Sequence, residues 1–249
     1  MEFGTMLCRQ VIYTVLDMGC FLLWDEPYKK YFIDIMAEVK SRLGIEVYAF
    51  TVLSGKVYML SGRFGEYSEE VAWDFQNEIL KHYLALKEVP SSETDELMKD
   101  HEISMTICPI RKHEDIMKTI IYIHLVAMNE GYVRFGIDYW WSSAQTYRSR
   151  YIWRAVDTDV VLGSLSPNRE HARRVLVRRH HGRESAGNPA PSCLSASFTV
   201  KSRDAIPDAV ASRDREEESQ ALTQKEQELE AEAEKQKEKF TRRQLMKAM

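Results

Sequence analysis

The sequence predicts an α+β fold: a ferredoxin-like antiparallel sheet of the βαββαβ type with helices on one face, plus a helical C-terminal extension. Two observations predict this class. Alternating apolar residues, typical of strands, and apolar residues spaced by three and four, typical of helices, give the order strand, helix, strand, strand, helix, strand, helix. Only a short turn sequence separates the two adjacent strands, which indicates a hairpin inside a split βαβ unit.

The first half of the chain supplies a strand, a helix and the hairpin. Residues 10–16 are rich in β-branched and aromatic side chains and predict the first strand. Apolar residues recur at spacings of three and four from 28 to 43, which predicts an amphipathic helix. Residues 45–52 and 57–60 predict two strands, and the Ser-Gly pair between them favours a tight turn.

The second half supplies two more elements of the sheet domain and the start of the extension. An apolar stripe from 68 to 87 predicts the second helix, and residues 103–109 alternate as a fourth strand. Residues 112–129 predict a third helix, which Gly131 is expected to cap. Residues 157–177 predict a further helix in the extension.

Composition divides the 249 residues into a folded part and a C-terminal part that cannot bury much apolar surface, because large apolar residues become scarce beyond Arg183. We expect four parts: a ferredoxin-fold domain at 7–155, a basic helical extension at 156–182, a flexible linker at 183–211 and a charged helical or disordered tail at 212–249.

Charge is unevenly distributed, so the net charge of −4 neither supports nor excludes a nucleic-acid partner. Residues 169–183 are strongly basic, whereas residues 214–238 are mostly acidic. No apolar run reaches the roughly 18 residues of a membrane span, and the first residues lack the pattern of a signal peptide. We therefore expect a cytoplasmic protein with no membrane partner. The four cysteines lack metal-type spacing and are expected to be free thiols.

An uncommon combination of residues begins in the third predicted helix. Tyr122-Ile123-His124-Leu125 is followed by a glycine turn and then by Trp141-Ser142-Ser143. The combination resembles the C-terminal half of the REP-associated tyrosine transposases, single-tyrosine members of the superfamily that cuts single-stranded DNA with a His-hydrophobe-His metal site. The resemblance covers about residues 9–176. It implies a ferredoxin-like fold and single-stranded or hairpin DNA as the partner, and it leaves a homodimer open.

The position of the family's metal site departs from the family pattern. Where relatives have two histidines across the hairpin, this chain has Lys56 and Tyr58, and strand alternation places both on one face. An ammonium group has no lone pair for a cation, and a phenol with a pKa of about 10 is a poor ligand for a hard metal ion. We expect a degenerate metal site. No cofactor is assigned, although magnesium or manganese would be the metal of the family.

The resemblance places the attacking tyrosine on the second helix, at Tyr83. In an intact family member this phenol attacks a phosphodiester and holds the 5′ end of the DNA as a phosphotyrosine. From the pattern alone, a core position on the buried stripe is favoured for Tyr83. His124 is interpreted as a satisfied, half-buried histidine rather than a ligand, and Trp141-Ser142-Ser143 as a structural corner.

Arginines in and before the extension are the candidate nucleic-acid contacts. Aromatic and basic residues interleave at 147–154, which suits stacking on unpaired bases. Guanidinium groups at 173–183 can neutralise phosphates, although a solvated helix face would give the same pattern. The candidates are Arg148, Arg150, Arg154, Arg173, Arg174, Arg178 and Arg179.

The sequence favours a transposase-like DNA-binding protein that recognises single-stranded or hairpin DNA and whose cleavage activity is impaired. Whether the protein is an enzyme stays open. One alternative is an active single-tyrosine transposase that forms a 5′-phosphotyrosine intermediate through Tyr83. Another is a scaffold that acts through the charged tail at 212–249. A decayed transposase without a selected role would have the same sequence features.

Overall fold

One antiparallel sheet organises the computed structural model, which describes residues 9–19, 23–65, 67–86, 103–148 and 152–200. Within these residues the sheet has five strands in the order β2-β3-β1-β4-β5, and each strand is antiparallel to its neighbours. The strands are β1 (Arg9–Asp17), β2 (Glu46–Val52), β3 (Lys56–Phe64), β4 (Ser104–Ile110) and β5 (Phe198–Val200). The first four have the order and directions of a ferredoxin-like sheet, which confirms the predicted fold class.

Six α-helices lie in the described residues, and glycines end two of them where the sequence predicts. The helices are α1 (Glu26–Leu43), α2 (Glu69–Leu86), α3 (His113–Asn129), α4 (Ala144–Arg148), α5 (Thr158–Leu165) and α6 (Arg169–Ser185). Gly44 follows α1 with φ 63°, and Gly131 follows α3 with φ 76°. Side chains with a Cβ rarely adopt this left-handed conformation. No helix in this part of the chain is long and apolar enough to cross a membrane.

The helices cover both faces of the sheet, which corrects the expectation that they lie on one face. The side-chain amide of Gln76 on α2 donates to Thr14 Oγ1 on β1 at 2.7 Å. The ring of Tyr122 on α3 lies 6.5 Å from the ring of Tyr13, the preceding residue of β1. Since consecutive strand residues point to opposite faces, α2 and α3 pack on opposite sides. Both faces of β1 are apolar and therefore both need a cover.

The segment after α3 closes the β2 edge of the sheet. The backbone N–H of Val52 donates to the carbonyl of Trp141 at 2.9 Å, and the N–H of Ser143 donates to the carbonyl of Phe50 at 2.9 Å. Farther along, Asp157 exchanges hydrogen bonds with Val47: its N–H donates to the Val47 carbonyl at 2.7 Å, and its carboxylate accepts from the Val47 N–H at 2.8 Å. The extension is therefore hydrogen-bonded along an otherwise open strand edge.

The predicted helix at 157–177 is two helices in the structure. Pro167 lies in the break between α5 and α6, and Asn168 caps α6 by accepting from the N–H of His171 at 2.9 Å. The described part of the expected linker, 183–200, completes α6 and then forms a 3-10 helix (Ser192–Ala196) and β5. The charged tail falls within a second unit, Pro207–Met249, which lies outside the described residues.

Candidate nucleic-acid interface

Lys56 and Tyr58 lie on one face of β3, the face covered by α3. Lys56 pairs with Asp17 across the β1–β3 register, and its ammonium nitrogen lies 3.3 Å from the Asp17 carboxylate. Tyr58 is buried two residues farther along the strand. The half-buried Tyr122 of α3 is close enough to Tyr58 to act on its ionisation. We call Asp17, Lys56, Tyr58, Tyr122 and Glu130 the tyrosine–carboxylate cluster.

The surroundings in the tyrosine–carboxylate cluster disfavour ionisation of its two phenols. Burial raises the pKa of Tyr58, and the carboxylates of Glu130 and Asp17 raise it further. Burial and Glu130 also raise the pKa of Tyr122. Lys56 brings one positive charge against the two carboxylates, so the net formal charge of the cluster is negative.

The cluster does not fit the magnesium or manganese ion that the family resemblance implies. Phenols held in the neutral form are poor ligands for hard cations, and the Lys56 ammonium repels them. Across the described ranges no group of three or more His, Cys, Asp or Glu side chains is placed to hold a metal ion. The hard-cation ligands that the cluster does contain are the Asp17 and Glu130 carboxylates, and because Asp17 is already paired with Lys56, the ligand set is incomplete.

Tyr83 lies on the opposite side of the sheet from Tyr58. Its side chain is fully buried between α1 and α2, with its ring 5.5 Å from the ring of Phe32 in an edge-to-face arrangement. Burial raises the pKa of this phenol. The structure does not bring Tyr83 together with Lys56 and Tyr58, and a DNA phosphate cannot reach Tyr83 while α1 and α2 remain packed.

Tyr122 is the tyrosine that the structure places beside the degenerate metal position. It is not among the residues predicted from the sequence, although it stands in the run Tyr122-Ile123-His124-Leu125 that carries the resemblance. Its place in that run was the sequence signal from which Tyr122 could have been identified. The choice between Tyr83 and Tyr122 depends on which sheet face each helix covers, and helical periodicity does not encode this.

Four of the predicted arginines meet in one groove between α4 and α6. The groove has a volume of about 710 Å³. Its lining residues are Arg148, Glu170, Arg173, Arg174, Val177, Arg178 and His181. We call this surface the arginine groove. The four guanidinium groups outnumber the two carboxylates that act on them, Glu170 in the lining and Asp138, which pairs with Arg148, so the lining is positively charged even though the whole chain is acidic.

Helical spacing explains how α6 builds its side of the arginine groove. Arg174 and Arg178 are four residues apart and so lie one above the other on the helix surface. Arg173 and His181 continue the same face. Arg148 ends α4 and supplies the facing wall, where it forms an ion pair with the exposed Asp138. The groove therefore depends on how α4 and α6 pack, as well as on the basic sequence of α6.

The remaining candidate arginines lie elsewhere. Arg154 lines a different pocket, together with Lys40, Arg42 and three other polar or acidic residues of α1. Arg179 is exposed on α6 but is not part of the groove lining. Arg150 lies outside the described residues. The structure thus brings together Arg148, Arg173, Arg174 and Arg178.

Comparison with known proteins finds distant likeness among solved structures. No protein-family model matches the sequence, and no curated protein matches it significantly. Among the solved structures that match, one is a REP-associated tyrosine transposase bound to a REP hairpin, with a TM-score of 0.45 and 18% sequence identity. The match covers 61% of this chain and 87% of the other.

Proposed function

We propose that this protein binds single-stranded or hairpin DNA through the arginine groove and does not cleave it. The observation that carries the proposal is the convergence of four guanidinium groups from two helices on one groove. Each guanidinium can form paired hydrogen bonds to a phosphate and displace a counterion from the nucleic acid. The alternative is that the arginines of α6 form only a solvated helix face. That alternative gives no reason for Arg148 of α4 to stand opposite them.

An exposed aromatic residue two positions after the partner of Arg148 supports unpaired DNA as the ligand. Trp140 is 47% exposed and its ring packs 6.2 Å from the ring of Trp153. It follows Asp138, the partner of Arg148, by two residues. Proteins that bind single strands combine a basic groove with aromatic rings on which bases stack. The sequence resemblance at Tyr122-Ile123-His124-Leu125 points to the same class of ligand.

The tyrosine–carboxylate cluster supports the absence of cleavage. A transferring phosphate needs positive charge close to it, usually a metal ion or guanidinium groups. Here the two carboxylates outnumber the single ammonium group of Lys56. Tyr122 belongs to this negative cluster, and Tyr83 is buried on the other side of the sheet. The pKa of each phenol is raised, which opposes its activation for attack.

The DNA-binding part of the proposal is tested with matched arginine variants. We expect the double variant Arg174→Ala/Arg178→Ala to weaken binding of a labelled hairpin oligonucleotide by about tenfold or more at moderate salt. Arg179→Ala removes one charge from the same helix outside the groove and serves as the control, with a loss of at most about twofold. Fluorescence anisotropy measures both. Absence of binding by the unaltered protein at low salt would overturn the proposal, and so would equal effects of the two variants.

The absence of cleavage is tested by an attempt to trap a covalent protein–DNA adduct. An active transposase would leave such an adduct between a tyrosine and a labelled single-stranded oligonucleotide. We expect no adduct on denaturing gels with either magnesium or manganese, because the described residues contain no group of three or more His, Cys, Asp or Glu side chains that could hold these ions. An adduct that disappears in Tyr122→Phe and persists in Tyr83→Phe would show an active enzyme and would refute this part of the proposal. The scaffold alternative concerns the tail at 212–249, outside the described residues.

A further inference from the structure

Two histidines form a buried hydrogen-bonded pair between α3 and the arginine-bearing helix α6. His124 of α3 and His180 of α6 are 0% and 1% exposed. Their ring centroids lie 5.0 Å apart at an interplanar angle of 17°, and His124 Nδ1 is 2.8 Å from His180 Nε2. His124 is thus a satisfied histidine, as the sequence indicates, but it is fully buried rather than half-buried.

The hydrogen bonds around the pair determine which ring nitrogens donate and which accept. His180 Nδ1 lies 2.8 Å from the Leu176 carbonyl, which can only accept, so this nitrogen carries a proton. Neutral His180 therefore accepts at Nε2 from the Nδ1–H of His124. His124 Nε2 then accepts from the hydroxyl of Ser143 at 2.8 Å. All four ring nitrogens are satisfied while both imidazoles stay uncharged.

The pair is a large share of the contact that holds α6. The buried residues of this helix are Ala172, Leu176 and His180, spaced by four along one seam. The rest of the helix is mostly arginine and other polar residues. Of the three seam residues, His180 alone forms side-chain hydrogen bonds to another element. The pair therefore helps to place the C-terminal half of α6, which carries Arg178, together with Leu176 and the hydrogen bonds that join Asn188, just beyond the helix, to α3.

A second added proton on the pair is poorly tolerated. The titratable side chains that face the rings within the described residues are Glu184 and His181 of α6 and Tyr147 of α4, whose ring lies 5.3 Å from that of His124. One added proton is accommodated if the Ser143 hydroxyl turns to the Phe50 carbonyl, 3.2 Å away, and accepts from His124. A second proton would set two N–H groups against each other across 2.8 Å. The pair must then separate.

We propose that the His124–His180 pair is a charge-sensitive latch that holds α6, and with it the arginine groove, in the DNA-binding position. The consequence for DNA rests on the function proposed above; the latch itself does not. When both rings of the pair become protonated, the helix that carries the arginines loosens and DNA binding weakens.

The direction of the pH effect follows from the buried state of the rings. Burial lowers the pKa of His180 to about 4 and the pKa of His124 well below its ordinary value. A neutral pair therefore contributes its full stability above the ordinary histidine pKa, near 6.5. The contribution is lost as the pH falls from there toward about 4, where His180 also becomes charged in the folded protein.

Hydrogen exchange on the full chain tests the latch without DNA. We expect the protection of α6 amides, corrected for intrinsic exchange, to fall by about tenfold or more between pH 6 and pH 4. Amides of β1 should lose much less. The glutamine amide in His180→Gln can still donate and accept but does not titrate. In this variant the loss of α6 protection between pH 6 and pH 4 should shrink to about threefold or less. Unchanged α6 protection in the unaltered protein would overturn the latch, and so would an equal loss in His180→Gln.

A fixed charge at neutral pH supplies a second test that includes DNA. His180→Lys should weaken hairpin binding at pH 7.5 by about tenfold or more, because a buried ammonium opens the latch. His171→Lys places the same charge on an exposed position of the same helix outside the groove and should cause no loss. Retained affinity in His180→Lys contradicts the latch. Failure of every variant and of the unaltered protein to bind DNA contradicts the proposed function instead, while the exchange experiment still decides the latch.

Discussion

At the scale of single residues, charge pairing and burial set the character of the tyrosine–carboxylate cluster. Lys56 pairs with Asp17, and the Tyr58 phenol lies near Glu130 and Tyr122. Burial and the two carboxylates keep the Tyr58 phenol neutral, so it is a poor ligand for a hard cation. The proposal that the protein does not cleave DNA depends on these few side chains.

Tyr83 provides a test at this scale. Because its ring is fully buried against Phe32, Tyr83→Ala should lower the free energy of unfolding by about 3–5 kcal/mol. Tyr122→Ala is the matched control and should cost less, because Tyr122 is half-buried. Urea denaturation followed by circular dichroism measures both. Equal stability of Tyr83→Ala and the unaltered protein would contradict the core role assigned to this tyrosine.

At the scale of elements, apolar periodicity was enough to locate the strands and most of the helices. Predicted segments 10–16 and 112–129 became Arg9–Asp17 and His113–Asn129. Periodicity reports which side of an element is buried, but not which partner buries it. For that reason periodicity alone does not show that α3 covers the face opposite α2. Apolar residues at helical spacing lie on both sides of Pro167, so periodicity favours one helix, whereas Pro167 and Asn168 mark the start of a second one.

The cap of α6 yields a prediction for one element. Asn168 accepts from the N–H of His171, so Asn168→Ala should destabilise the start of α6 by about 1 kcal/mol. Asn168→Ser keeps a capping oxygen and should cost only a few tenths of that. Hydrogen exchange of the first turn of α6 separates the two variants. Equal protection in both would show that the cap does not hold the helix start.

At the scale of the whole molecule, the second half of the described chain folds back onto the sheet. Trp141 and Ser143 bond to the edge strand β2, while β5 pairs with β4 at the other edge. This packing brings Arg148 opposite Arg174 and Arg178 and sends Arg154 to another pocket. The sequence identified basic residues in the right region. It could not show which of them share a surface, because that depends on the packing of α4 against α6.

The salt dependence of DNA binding tests the central claim most directly. For the unaltered protein, the logarithm of the association constant should fall linearly with the logarithm of salt concentration. The slope of Arg173→Ala/Arg174→Ala/Arg178→Ala should be smaller by about two to three, since each lost phosphate contact removes about 0.7 to 0.9. Arg179→Ala should keep the original slope. If the triple variant keeps that slope as well, the arginine groove is not the DNA-binding surface.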